Sequence, residues 1–274
     1  MKKILSLVLA IVMVVSMALS FSSCKKDESS DWETVQEKGY FVCGITVYKP
    51  MNYFDENDSL VGFDTDFAQA VAKELGVEVK FQIINWGSKY LELESGSIDA
   101  IWNGFTYGNE SDGTSRTEYV DFSYAYLNNS QCIVTAKNSG IATKADFAGK
   151  KGVAEGGSAG EAVAKELSTQ YTAVAAQTNA LMEVLSGTAD FAVIDVLMAN
   201  AYVGKGDYAN LEINTAYEPE GEVYAIGFRK GSDLTAKVNE AIKKLSADGT
   251  LTAIAQKYTA DGLSADAVIP NIGQ

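Results

Sequence analysis

The sequence predicts an α/β protein built from two similar lobes, and two observations support this fold class. Strand and helix patterns alternate along almost the whole chain, which is typical of parallel sheets covered by helices. Two segments about ninety residues apart, LELESGSIDAIWNG and LMEVLSGTADFAVID, also share one layout of apolar helix, Ser-Gly, a small residue, Asp and apolar strand. This repeat predicts two related lobes with a cleft between them.

The N-terminus carries the pattern of an export signal. Lys2 and Lys3 precede the apolar run ILSLVLAIVMVVSMAL, and small residues follow before Cys24. A basic segment, a short apolar core and small residues before a cleavage site predict a secretory signal peptide over residues 1–23. The apolar run has about 16 residues, whereas a spanning helix needs roughly 20, so a retained membrane anchor is the less favoured alternative.

The residues around Cys24 resemble the lipobox of bacterial lipoproteins, in which the cysteine becomes the lipidated first residue of the mature protein. Phe21 departs from the aliphatic residue that is usual at its position. The polar stretch KKDESSDWETVQEKG has no apolar period, so residues 24–38 are predicted to form a flexible tether. We therefore expect a lipid-anchored protein on the extracytoplasmic face of the cell membrane, with plain secretion as the alternative.

Composition excludes several classes of function. With 36 acidic and 22 basic residues the formal net charge is −14, and nucleic acids require a basic face. The chain has no histidine, which removes Ser-His-Asp and Cys-His catalysis and the commonest transition-metal ligand. No cofactor or metal is expected. Cys43 and Cys132 lie in apolar strand-like runs, which favours buried free thiols over the alternative of one disulfide.

The first half of the chain predicts a β-α-β-α-β order. A β-rich run over residues 40–47 is followed by a helix that opens at Asp64 and Asp66 and stops at Gly76. The strand VEVKFQII, the short helix SKYLELESG and the strand SIDAIWNG come next. This order favours a parallel sheet with helices on its faces.

The second half repeats the order with variations. Strand CIVTA, the turn and strand of KADFAGKKGVAEG, helix SAGEAVAKELS, strand YTAVAAQ, helix NALMEVLSG and strand ADFAVI lead to Asp195 and the helix VLMANAYVG. Strand VYAIGFRK follows, and the segment DLTAKVNEAIKKLSADGTLTAIAQKYT forms either one long helix or two short ones.

The ends of the two repeat strands are the places where chemistry is expected. Ligands of open α/β sheets bind beyond the carboxyl ends of the strands, which here are residues 103–106 and Asp195. A free α-amino acid needs a planar two-donor partner for its carboxylate, and Arg116 is one of only two arginines in the chain. Backbone N–H groups at the helix start near Ser158 also suit a carboxylate.

The ammonium of such a ligand needs charged and neutral acceptors. Asp195, the Thr106 hydroxyl and the Gly104 carbonyl provide them, and Tyr48 and Trp86 provide a wall.

Each of these residues also has a purely structural explanation. Arg116 could pair with nearby surface acids, Asp195 and Ser158 could cap helices, and Trp86 could belong to the core.

From about residue 39 to residue 258 the chain resembles the amino-acid-specific solute-binding proteins of bacterial ABC importers. The matching pieces occur in order: LVGFDTDFAQAVAKELGVEVKF, NWGSKYLELESGSIDAIWNGFT, RTEYVDFSYAY, DFAGKKGVAEGGSAGEA, VLSGTADFAVID, YAIGFRKGSDL and LSADGTLTAIAQKY. The resemblance implies a type II periplasmic-binding-protein-like fold with two crossover hinge segments. It also implies a discontinuous lobe 1, over 39–127 and 222–270, and a lobe 2 over 128–221.

The resemblance also implies a function and a site. The protein would capture a free amino acid by closing its lobes and would deliver it to ABC permease subunits. It would act as a monomer and would not catalyse a reaction. Arg116 with the helix start would hold the carboxylate, and Asp195 with the Thr106 loop the ammonium, between the two aromatic walls. The implied ligand-binding residues are Tyr48, Trp86, Asn103, Gly104, Thr106, Arg116, Ser158, Ala159 and Asp195.

Some positions depart from the family pattern. The ten residues from Thr106 to Arg116 exceed the usual spacing, so 107–115 resembles an insertion of unassigned role. Thr46 weighs against a cationic ligand whereas Glu155 favours one, and a neutral polar amino acid is preferred. A catalytically adapted relative of the dehydratase or lyase kind, with Glu155 as acid or base, and a ligand-sensing domain are the alternative functions.

Overall fold

A computed structural model describes residues 30–273 of the chain. The predicted signal peptide over 1–23, the predicted lipidation of Cys24 and residues 24–29 of the predicted tether lie outside these residues. Within the described range, no helix is both long and apolar enough to cross a membrane.

Strands and helices alternate along the described chain, as predicted. The strands are Tyr40–Ile45 (β1), Tyr53–Phe54 (β2), Leu60–Val61 (β3), Glu78–Ile83 (β4), Ala100–Ile101 (β5), Asp121–Phe122 (β6), Leu127–Ala136 (β7), Lys151–Glu155 (β8), Gln170–Val174 (β9), Phe191–Asp195 (β10), Leu211–Asn214 (β11), Gly221–Tyr224 (β12) and Gly227–Phe228 (β13). The α-helices are Asp31–Lys38 (α1), Phe63–Leu75 (α2), Lys89–Glu94 (α3), Ala159–Leu167 (α4), Gln177–Ser186 (α5), Val196–Tyr202 (α6), Leu234–Ala247 (α7) and Thr250–Lys257 (α8).

Two mixed sheets form the two lobes, which confirms the predicted α/β fold class. The first sheet has the strand order β4-β1-β5-β13-β6, with β1 parallel to β4 and β5. The second has the order β11-β7-β10-β8-β9, with β8 parallel to β9 and β10 and with β7 antiparallel to β10 and β12. Because the first sheet takes strands from both ends of the described chain, its lobe is discontinuous in sequence.

The chain passes between the sheets twice, and the two crossings run side by side. Ser123 N–H donates to the Ile226 carbonyl at 2.9 Å, and Ile226 N–H donates to the Ser123 hydroxyl at 2.9 Å. Tyr126 N–H donates to the Tyr224 carbonyl at 2.9 Å. The two connections therefore form a hydrogen-bonded pair that holds the carboxyl ends of both sheets against one cleft.

Glycines end two of the predicted helices. α2 stops at Gly76, whose φ of 72° is in the left-handed region that glycine adopts without strain. At the C-terminal end the predicted alternatives were one long helix or two short ones, and two form. Gly249, with a φ of 82°, separates α7 from α8.

Both cysteines are buried and, within residues 30–273, both are free, which confirms the favoured interpretation. Cys43 lies on β1 in the first sheet and Cys132 on β7 in the second. Burial raises the pKa of the Cys43 thiol well above its ordinary value, so the thiol stays neutral and packs as an apolar group.

The predicted tether is wrong for residues 31–38, because these residues form α1 and dock on the first lobe. The Ser30 hydroxyl accepts from Glu33 N–H at the start of the helix, and Val35 is fully buried. Arg229 donates to both carboxylate oxygens of Asp31 at 2.9–3.2 Å. This helix is not predicted from the sequence, because one buried apolar residue gives no hydrophobic periodicity. The pattern Ser30-x-x-Glu33, typical of a helix start, is the one available signal.

Candidate functional site

The carboxyl ends of strands from both sheets surround one cavity. All nine residues predicted to bind a ligand lie around this cavity, together with three that the prediction did not include. The lining residues are Thr46, Tyr48, Trp86, Asn103, Gly104, Thr106, Arg116, Glu155, Ser158, Ala159, Gln177 and Asp195.

Arg116 is buried at the cavity wall, with 1% of its surface exposed. Its Nε donates to Glu110 Oε1 at 3.0 Å, Nη1 to the Thr106 carbonyl at 3.0 Å and Nη2 to the Gly157 carbonyl at 3.2 Å. The guanidinium carbon stands 4.9 Å from the centre of the Phe105 ring. Since a guanidinium has five N–H donors, one hydrogen on each of Nη1 and Nη2 is left for a planar anion.

Glu110, in the segment 107–115, orients the arginine. Its Oε1 accepts from Arg116 Nε and from the Tyr90 hydroxyl, and it lies 3.3 Å from Lys89 Nζ. The sequence suggested that Arg116 could pair with a nearby surface acid, but its ion-pair partner is instead the half-buried Glu110. This contact assigns the segment a structural part in the site.

Lys89, which the sequence reasoning missed, is buried beside the arginine with 2% of its surface exposed. Burial lowers the pKa of its ammonium to about 8, and the charge of Glu110 opposes that shift. No local pattern marks this lysine, because it begins an ordinary short helix.

The Gly157 carbonyl in the second lobe accepts three donors from the first lobe. These are Trp86 Nε1 at 3.1 Å, Lys89 Nζ at 3.3 Å and Arg116 Nη2 at 3.2 Å. Lys165 Nζ also reaches the Ser111 hydroxyl across the cleft at 3.0 Å. The lobes are thus in contact, and the cavity is enclosed by both.

Asp195 lies at the end of β10, on the opposite wall, with 5% of its surface exposed. Its carboxylate makes no capping bond to α6, although the residue occupies the N-cap position. Instead Oδ1 accepts from Asn129 Nδ2 and Gln131 Nε2, both at 2.7 Å, and Oδ2 accepts from Gln177 Nε2. Three amides therefore hold a buried carboxylate at the cavity.

Glu222, on β12, is a second acid that the sequence reasoning missed. Its Oε1 accepts from the Thr106 hydroxyl at 3.0 Å and from Gln131 Nε2 at 2.8 Å. Burial and the nearby charge of Asp195 raise the pKa of Glu222 to about 7. Asn129 and Gln131 donate to both acids, which links them in one network.

Two of the predicted polar residues have side chains engaged within the protein. The Asn103 amide pairs with both backbone groups of Thr46, accepting from N–H at 2.7 Å and donating to the carbonyl at 3.2 Å. The Ser158 hydroxyl accepts from Glu161 N–H and caps α4, as the structural explanation expected. Ala159 follows as the first residue of that helix.

Gly104 is required where the loop approaches the aromatic wall. Its φ is 55°, and a Cβ at this position would lie 2.8 Å from the Tyr48 ring. Its N–H donates to the buried Asp64 carboxylate at 2.7 Å. The Tyr48 hydroxyl hydrogen-bonds to Tyr224, and Trp86 packs edge-on against Phe105, so both walls are rigidly placed.

Glu155, which the sequence identified as a residue that can face the pocket, lines the cavity at the end of β8. It is 5% exposed, and its Oε1 has no hydrogen-bond partner among the described residues. Burial and the charge of Asp195 raise the pKa of Glu155 to about 8, whereas Lys89 opposes the shift. No group of His, Cys, Asp or Glu suited to a metal ion occurs within residues 30–273.

The profile of the bacterial extracellular solute-binding proteins, family 3, matches residues 41–261. The chain is 32% identical to the arginine-binding extracellular protein ArtP of Bacillus subtilis, over 94% of this chain and 98% of that one. It is 30% identical to the L-cystine-binding protein TcyA of Bacillus subtilis, over 96% of this chain and 100% of that one. A substrate-binding protein of an ABC uptake transporter from Streptococcus pneumoniae, with bound histidine, matches with a TM-score of 0.77 and 31% identity, over 86% of this chain and 98% of that one.

Proposed function

Because the chain belongs to the bacterial extracellular solute-binding proteins of family 3, we propose that it captures a free amino acid and delivers it to an ABC permease. One observation carries this proposal. A buried guanidinium with two N–H groups left for an anion faces the same cavity as a buried carboxylate held by three amides. These two groups match the carboxylate and the ammonium that every free α-amino acid carries.

The lining residues divide between the two ends of such a ligand. Arg116, with the backbone N–H groups at Ser158 and Ala159, holds the carboxylate. Asp195 accepts from the ammonium, aided by the Thr106 hydroxyl and the Gly104 carbonyl.

The remaining predicted residues shape the site. Tyr48 and Trp86 enclose the ligand side chain, and Asn103 fixes the backbone of Thr46 at the cavity wall.

Closure of the lobes accompanies capture. The division proposed is lobe 1 over 39–127 and 222–270 and lobe 2 over 128–221, with α1 added to lobe 1. The ligand would touch Arg116 in one lobe and Asp195 in the other, so it binds the closed arrangement more tightly and shifts the equilibrium toward it.

The protein acts as a monomer held on the extracytoplasmic face of the membrane by a lipid on Cys24. We place the flexible part of the tether before α1, since residues 31–38 pack on the lobe. The function is binding without catalysis, and appearance of a product during the assay below would instead support the dehydratase or lyase alternative.

A ligand screen tests the proposed function. The full chain in mild detergent is heated with each of the twenty amino acids, cystine and several organic acids. A ligand at one hundred times its dissociation constant stabilises the folded protein by roughly 2.7 kcal/mol, a shift of a few degrees. Asp195→Asn should lose this shift, and Asp207→Asn on the exposed surface should keep it. A folded protein that responds to no amino acid would contradict the proposal.

A further inference from the structure

Glu155 is the one cavity-lining residue with a buried side-chain oxygen that has no hydrogen-bond partner within residues 30–273. Its Oε1 is fully enclosed and accepts no hydrogen bond, and the residue is 5% exposed. A buried polar atom without a partner costs free energy, and such atoms are rare in folded proteins. Because Glu155 lines the cavity, this unpaired carboxyl group points to a donor that enters with a ligand.

Three other residues at or near the cavity have polar groups engaged within the protein, but none of them contacts Glu155. The Gln177 amide binds Asp195: it donates to the Asp195 carboxylate and accepts from the Asp195 backbone N–H at 2.9 Å. The backbone of Thr46 pairs with Asn103. Lys89, the lysine near this region, contacts Glu110 and the Gly157 carbonyl instead.

The balance of charge around the cavity favours a ligand with more than one positive group. Lys89 and Glu110 are opposite charges 3.3 Å apart. Arg116 then shares the cavity with two acids, Glu155 and Asp195, and a third acid, Glu222, accepts from the same Gln131 amide as Asp195. The carboxylate of an amino acid satisfies Arg116 and its ammonium satisfies the Asp195 network, which leaves the Glu155 carboxylate still unpaired.

We propose that Glu155 selects an amino acid with a cationic side chain, whether guanidinium, ammonium or imidazolium. This inference rests on the proposed function and names the substrate class of the same site, in place of the neutral polar amino acid preferred from the sequence. The side-chain cation donates to the free Glu155 oxygen. The faces of Trp86 and Tyr48, which line the same cavity, favour a cation through their ring electrons.

Arginine and citrulline give a sharp test, because they share one shape and differ in the charge of the side chain. Isothermal titration of the full chain is done with both ligands, using the natural protein and Glu155→Gln. The natural protein should bind arginine about 30-fold or more tightly than citrulline, as expected when one partner of a buried charge pair is removed. Comparing the affinities for lysine and glutamine tests the ammonium in the same way. Titration with histidine at pH 6 tests the imidazolium.

The Glu155→Gln variant should reduce the preference to a few-fold, while Glu212→Gln, at an exposed position on β11, should keep it. Glutamine preserves the size of the side chain, and a melting curve of each variant shows whether it is folded. An equal loss for arginine and citrulline would overturn the inference, because Glu155 would then serve the common ammonium. Tight binding of neutral amino acids alone would overturn it and leave the proposed function standing, whereas no amino-acid binding at all would remove both.

Discussion

At the scale of residues, the two arginines of the chain do different work. Arg116 is buried at the cavity with two N–H groups left for a ligand. Arg229 donates hydrogen bonds to the acids Asp31 and Asp99 and to two backbone carbonyls, and it does not line the cavity. A planar fork is needed in both places, which explains why arginine rather than the more abundant lysine occupies them.

Replacing each arginine by lysine should therefore affect a different property, ligand affinity at Arg116 and stability at Arg229. Arg116→Lys should weaken amino-acid binding roughly tenfold or more, since a lysine lacks the two-donor fork. Arg229→Lys should keep the affinity and lower the free energy of unfolding by about 1–3 kcal/mol through lost hydrogen bonds. Titration calorimetry and urea unfolding of both variants check this. Unchanged affinity in Arg116→Lys would contradict the proposed binding of the ligand carboxylate by Arg116.

The raised pKa of Glu155 predicts a pH dependence of stability. The ordinary pKa of 4.5 rises to about 8 in the folded protein because of burial and the charge of Asp195. The folded state thus holds the proton more tightly than the unfolded state. The stability from Glu155 is complete below pH 4.5 and is lost as the pH rises to about 8.

Melting temperatures from pH 4.5 to pH 8, without ligand, should therefore fall for the natural protein relative to Glu155→Gln. Asp64 and Glu222, whose pKa values are also raised, are present in both proteins, so the difference between the curves reports Glu155. Parallel curves would show that the folded state does not raise the pKa of Glu155.

At the scale of elements, α1 shows how a charged helix can belong to a lobe. Its buried contacts are few, and it is held by Val35, by Trp32 packed against the core and by the Asp31–Arg229 ion pair. This docking makes residues 31–38 a part of the folded domain. It shortens the stretch that the proposed membrane tether could use.

Two substitutions in α1 test its docking. Val35→Ala removes two buried methyl groups and should lower the free energy of unfolding by about 1.5–3 kcal/mol. Gln36→Ala, exposed on the same helix, should change it by less than about 0.5 kcal/mol. Urea unfolding measures both, and equal effects would mean that the helix does not pack on the lobe.

The segment 107–115 gives a second prediction at this scale. Glu110→Gln removes the charge that holds Arg116 Nε and Lys89 Nζ, so the guanidinium loses its orientation. Amino-acid affinity should fall by about tenfold, whereas Glu118→Gln, exposed just beyond the segment, should leave it unchanged. Titration calorimetry compares them, and retained affinity in Glu110→Gln would restrict the segment to a structural loop.

At the scale of the whole molecule, the Gly157 carbonyl joins the lobes. Three donors from the first lobe converge on this one acceptor in the second. Because Trp86 and Arg116 also line the cavity, the contacts that close the cleft and those that would hold a ligand share side chains. Ligand binding and closure are thus coupled through the same residues.

Tryptophan fluorescence should report this closure. The chain has three tryptophans. Trp86 alone lies between the lobes, whereas Trp32, on α1, packs against the core and Trp102 lies within the first lobe. Ligand should change the emission of the natural protein and of Trp32→Phe but not of Trp86→Phe at saturating ligand, as verified by calorimetry. A full response in Trp86→Phe would place the moving interface elsewhere.

The sequence by itself determined the fold class, most element positions and the types of residue at the cleft. Periodicity, glycine stops and strand ends are local features, so α2 and its end at Gly76 could be predicted, as could Arg116 and Asp195 as residues near one cleft. The repeated helix–strand layout indicated two lobes for the same reason.

Only the tertiary structure decided which groups meet. Several contacts depend on how the sheets and loops come together. They are Glu110 with Arg116, Lys89 and Trp86 with Gly157, the shared network of Glu222 and Asp195, and the docking of α1. Burial also depends on the whole fold, and it left the Glu155 carboxylate without a partner at the cavity. A local pattern encodes the conformation of a segment, but the partner and the solvent exposure of a side chain are set by the packing of distant segments.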